Sequence, residues 1–137
     1  MRSLNRVQRV IIPQLRAELP DDVTVASWIA DTDYRVFPIV QVRRLGGLAK
    51  DRRRIDRAVI ELTAYTQVDL PTTEDLLLDA MTVLYDMVDS QVSNPYGSIC
   101  SYRETMGPTQ FDSPFEDSWR VQALIQLGVR PPRVGGL

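Results

Sequence analysis

The chain contains no histidine. The side chain whose charge changes near neutral pH is therefore missing, and with it the commonest general acid–base group and the commonest nitrogen ligand for zinc. A single cysteine, Cys100, excludes a disulfide within the chain. Without an imidazole to activate it, its expected place is that of a small apolar residue in a strand. The lack of disulfides fits folding in a reducing cytoplasm. No apolar run approaches the roughly 20 residues that a membrane span needs. The N-terminus carries Arg2, Arg6 and Arg9 but lacks the apolar segment of a signal peptide. Nor is there a large surplus of charge. Sixteen basic and eighteen acidic residues leave a net charge of −2, which gives no global attraction to nucleic acid or an anionic membrane. These absences argue against an enzyme, with no cofactor and no metal expected.

What the chain does contain is ordinary globular material: 137 residues, 44% hydrophobic and 25% charged. That is enough for one core, and the expected organisation is a single domain over residues 1–129 with a flexible tail, 130–137. Leu4, Val7, Ile11 and Leu15 recur at helical spacing, so Ser3 to Leu19 reads as a helix, kinked at Pro13. Val23 to Ile29 and Val36 to Arg44 read as strands. Pro38 suits a strand edge, and Gly46-Gly47 is a break. Leu48 to Arg57 reads as a basic loop, and Arg43 to Arg57 as an arm long enough to leave its own sheet. Ala58 to Thr66 alternates as a strand.

A second helix opens at Pro71 with Thr72 as its N-cap and runs to Asn94-Pro95-Tyr96-Gly97. Leu77, Met81, Leu84 and Val88 are its buried stripe. Asp75, Asp79, Asp86 and Asp89 lie opposite. Ser98 to Glu104 is a further strand, Gly107 to Asp117 a loop, and Ser118 to Leu127 the strand with the clearest alternation. The predicted order is α-β-β-β-α-β-β. It implies an α+β fold with a mostly antiparallel, four- to five-stranded sheet and two helices packed on one face.

No constellation in this pattern carries chemistry. The aspartates of the second helix form a row rather than converging on a point, as a magnesium or calcium site requires. Nothing fixes the mutual geometry of Asp31, Asp33 and Asp51. Gly46-Gly47 lacks the lysine and hydroxyl of a phosphate loop. The cluster Lys50, Arg52, Arg53 and Arg54 has no interleaved aromatics, which weakens a nucleic-acid reading and favours contact with an acidic surface on a neighbouring copy. Trp28 and Trp119 read as core or interface anchors.

The run Pro38-Ile39-Val40-Gln41-Val42-Arg43-Arg44-Leu45-Gly46-Gly47 resembles the hairpin strand of tail terminator proteins of long-tailed bacteriophages, particularly those of actinobacteria. Val10-Ile11-Ile12-Pro13-Gln14-Leu15-Arg16-Ala17-Glu18-Leu19-Pro20 resembles their first helix. The strand around Ile60-Glu61-Leu62 and the helix from Thr73 continue the order, so the resemblance spans Val7 to Leu127. It implies a non-catalytic virion subunit, assembled in the host cytoplasm, that forms a ring, typically a hexamer, at the head-proximal end of the tail tube. The ring stops tube polymerisation and joins the tail to the head connector. The implied partners are other copies of the chain, the tail tube protein and the connector or stopper protein, with DNA only passing through the channel and no membrane. Arg43, Arg44, Lys50, Arg52, Arg53, Arg54, Asp79 and Asp86 are the expected subunit or tail-tube contacts. Two rival readings are a head-completion or connector-adaptor protein of the same virion and a small metal-dependent nuclease. The charged loop Lys50–Arg54 and the tail Arg130–Leu137 depart from the family pattern.

Overall fold

The computed structural model describes residues 4–29, 35–51 and 54–132, with Lys50 described in its backbone alone. The elements are α1 (Val7–Glu18), β1 (Thr24–Ala26), β2 (Ile39–Asp51), β3 (Ile55–Thr66), α2 (Leu70–Asp89), β4 (Ser93–Asn94), β5 (Gly97–Phe111) and β6 (Trp119–Arg130). They form one six-stranded sheet in the order β1-β2-β3-β6-β5-β4. The fold is α+β as expected, but the sheet has six strands rather than four or five. It is also mixed, because β1 pairs parallel to β2 while every other pair is antiparallel. β4 is too short to show any alternation in sequence.

The register builds the core. Ala58 faces Leu127, Ile60 faces Ile125, Leu62 faces Ala123 and Ala64 faces Val121 across β3 and β6. Three of these four pairs set a small residue against a larger one. Val40 and Val42 of β2 extend the same face. Val7, Val10, Ile11 and Leu15 of α1 and Leu77, Ala80, Met81, Leu84 and Met87 of α2 join them in one buried cluster. Each large side chain so buried contributes about 1.5–3 kcal/mol against the entropy of ordering it.

Parts of two segments expected to be loops are strand. β2 continues through Gly46-Gly47, because the glycines make a bulge rather than an end. Arg44 pairs with Ile60 and Gly46 with Val59, so Leu45 is the extra residue. Gly47 has φ +88°, and a Cβ there would lie 2.0 Å from the Arg57 carbonyl oxygen, so no other residue fits. Leu48 and Ala49 then pair with Arg57 and Asp56. β3 is itself paired with β6 from Asp56 onward. The described residues of the arm expected to leave its sheet, Arg43–Asp51 and Ile55–Arg57, therefore stay in it. β5 likewise runs on to Phe111, with Gly107 and Pro108 at a register shift between Met106 and Thr109 where no ladder bond is required of them. Pro38 does not leave a bare edge, since its carbonyl accepts the Thr24 N–H at 2.9 Å. β6 runs through Arg130, one residue into the segment read as a tail. Residues 133–137 lie outside the described chain.

The helices end differently from expectation. α1 begins at Val7 rather than Ser3, after an Arg6 cap position with no side-chain bond. Pro13 sits inside it and cannot donate to the Arg9 carbonyl one turn back. The Asn94 side-chain amide donates there instead, at 3.5 Å to the Arg9 oxygen and 2.9 Å to the Val10 oxygen. The N-cap of α2 is Asp69, not Thr72. Its carboxylate accepts the Thr72 backbone N–H at 2.8 Å, with Pro71 in the first turn where its missing N–H costs nothing. Hydrogen bonds from the Thr72 hydroxyl and backbone hold that carboxyl below the usual carboxylate range.

Candidate assembly surfaces

Arg43 and Arg44 are neighbours on β2 and so point to opposite faces of the sheet. Arg44 is committed within the chain. Its guanidinium grips the almost buried Asp56 with both terminal nitrogens, at 2.8 Å on one side, while Nε donates to the Gly46 carbonyl at 2.9 Å. This fork–fork pair ties the bulge across the hairpin. The hydrogen bond to Asp56 raises the Arg44 pKa further above its usual value. Arg43 lies on the open side, 3.2 Å from Glu61. Beside it Thr63, Gln122 and Arg120 make a polar network. Gln122 Oε1 lies 3.3 Å from the Thr63 hydroxyl and 2.8 Å from Arg120, whose guanidinium also stacks over Phe111.

At the hairpin turn the described residues are Asp51 and Arg54, 3.9 Å apart and exposed. Arg52, Arg53 and the Lys50 side chain lie outside the described residues. The expectation that this cluster forms a basic contact surface therefore rests on the turn that carries it.

Asp79 and Asp86 share the solvent side of α2 with Glu74, Asp75 and Asp89, and α2 contains no lysine or arginine. Leu78 and Tyr85 are exposed on the same side, at 47% and 60%. Tyr85 leans edge-on against Tyr102 at 5.6 Å. Among the described residues no three carboxylates or thiols lie close enough to hold a metal ion.

One surface escaped the sequence reading. Between α1 and β1 lies a groove of about 500 Å³. Arg6, Arg9 and Arg16 rim it, and Pro13, Trp28 and Tyr96 supply its apolar walls. Arg16 is anchored by two bonds to the Val25 carbonyl, at 3.1 and 2.8 Å, and Arg9 lies over the Tyr96 ring at 5.1 Å. Trp28 is 68% exposed, so it is no core residue. The spacing of the three arginines, three and seven residues apart, places them on one helix face and was a readable signal.

The sequence matches the family model described as phage tail termination protein over residues 3–135, and the chain belongs to that family of structural proteins of the bacteriophage tail. It is 45% identical to the Gene 22 protein of Mycobacterium phage L5 over 136 residues, covering 97% of this chain and 98% of that one. The Gene 22 protein of Mycobacterium phage D29 is 43% identical over the same share of each. The fold recurs in a chain from the virion of a native gene transfer agent particle, with a TM-score of 0.53 at 15% identity, over 90% of this chain and 94% of that one.

Proposed function

We propose that the protein is the terminator itself. Copies close into a ring, typically of six, on the head-proximal end of the tail tube, stop its polymerisation and present the opposite face to the head connector, with DNA passing through the centre. The role is one of shape and contact, without catalysis. The observation that carries it is the separation of charge on one chain. A ring closes through a heterologous contact, in which one patch meets a different patch on the next copy. The carboxylate face of α2, with Asp79 and Asp86, and the cationic surfaces of the hairpin and of α1 are unlike patches of that kind. Complementary charge of this sort sets register and partner choice more than affinity. Arg43 on the open sheet face and Lys50, Arg52, Arg53 and Arg54 at the hairpin turn are assigned to contacts with the tube or a neighbour, while Arg44 holds the hairpin in shape.

The test is electron microscopy of particles assembled without the protein. Overlong tails are the expected result. Tails of normal length beside heads that leak DNA would instead place the protein at the head, as a completion or adaptor subunit. Purified protein mixed with tail tubes is expected to show rings at one tube end.

A further inference from the structure

We propose that the groove between α1 and β1 is the seat for the outer face of α2 from the adjacent copy. The inference rests on the ring reading and names the surfaces that would close it.

Three observations converge. The first is unspent charge. Among the described residues, Arg6, Arg9 and Arg16 pair with no carboxylate, and none of Glu74, Asp75, Asp79, Asp86 and Asp89 pairs with a base. The second is the placement of those acids. Asp86 and Asp89 occupy the last turn of α2, where the helix dipole is already negative and the turn itself holds no base. Within one chain that arrangement is unfavourable, and a cationic partner relieves it. The third is the apolar component. Leu78 and Tyr85 lie seven residues apart, hence on one stripe, with carboxylates to either side. The groove offers Pro13, Trp28 and Tyr96 between its arginines. An amphipathic helix laid in a groove reads with anchors at this spacing, and exposed aromatics in apolar pockets are the usual energetic centres of an interface.

The occupant is a second copy rather than the chain's own helix. The inner side of α2 is fixed in the core through Leu77, Leu84 and Met87, and α1 is fixed in the same core through Val10, Ile11 and Leu15. The outer side of α2 therefore cannot turn into its own groove. The hairpin turn takes no part in this contact and is assigned to a different partner, the end of the tube.

The experiment uses the full chain in sedimentation and in negative stain, alone and with tail tubes. The wild type is measured first. Failure to form rings in either setting overturns the ring reading beneath this proposal. Arg6→Glu with Arg9→Glu, and separately Asp79→Lys with Asp86→Lys, are expected to raise the concentration for half-assembly by about tenfold or more, the range of close charge pairs at interfaces. Arg16 is left alone because it also holds Val25. All four changes placed in one chain are expected to restore assembly, because the signs match again. Mixing the two reversed variants is expected to restore even-numbered rings. If the wild type assembles and the Arg6/Arg9 variant assembles at the same concentration, the groove is not the seat. The pairing is equally overturned if both reversals block assembly and the combined swap does not recover it. Should reversal lower the melting temperature, Arg9→Gln and Asp79→Asn in a double-mutant cycle decide the same point, with zero coupling counting against it.

Discussion

The two helices lie on the same side of one sheet and share one core, yet their outer surfaces have little in common. α2 is capped by Asp69, has no interior proline and carries five carboxylates with no base. α1 has no side-chain cap, is interrupted by Pro13 and is flanked by Arg6, Arg9 and Arg16 on one face. Their inner faces are alike in kind, mainly apolar and buried. The difference teaches that folding specifies only half of each helix. The other half is free to carry an address, and here the two addresses have opposite sign.

Core substitutions should affect both helices alike. Leu84→Ala in α2 and Leu15→Ala in α1 are each expected to lower unfolding free energy by about 3 kcal/mol in urea titration, since both side chains are fully buried. Asp86→Ala, on the outer face, should stay within about 0.5 kcal/mol. A large loss from Asp86→Ala in the isolated chain would mean that the outer face takes part in folding, and the contrast would fail. Arg44→Ala comes next, at about 2 kcal/mol, because it strands the nearly buried Asp56 carboxylate.

A smaller effect probes the interruption in α1. Asn94→Ala should cost about 1 kcal/mol by uncovering the Arg9 and Val10 carbonyls. In a Pro13→Ala background, where the helix supplies its own donor, the cost should shrink, and equal costs in both backgrounds would show that the amide does not repair the proline. The smallest effect separates the two N-termini by pH. The folded Asp69 carboxyl lies below its ordinary value of 3.8, so its contribution is complete above that pH and is lost as pH falls through the lower folded value. Asp69→Ser is expected to flatten this part of the acid stability profile, with no counterpart at α1.

The alternation of Ala58–Ala64 and Val121–Leu127 is plain in the sequence, and so are the buried stripes of the helices, because periodicity is a local property. What local reading lost depends on pairing. Gly46-Gly47 and Gly107-Pro108 look like chain breaks until the partner strand shows them as bulges. Thr72 looks like a cap until Asp69 is seen to face its N–H. The same holds for the surfaces. The acidic row through Asp79 and Asp86 was legible from spacing alone. The role of Arg44 was not, because Asp56 becomes its neighbour only once the hairpin register is set. The spacing of Arg6, Arg9 and Arg16 was a readable signal that went unread, and Trp28 and Tyr96, which make that face a groove, arrive from the bend after β1 and from the turn before β5.

Asn94 serves carbonyls 84 and 85 residues earlier in the chain. α1 leaves the ribosome before α2 and is completed by a residue translated much later, once α2 has turned the chain back. Loop closure of that length comes late in folding. A half-made subunit would then lack a finished α1 wall, and premature copies would be poor building blocks for a shared particle.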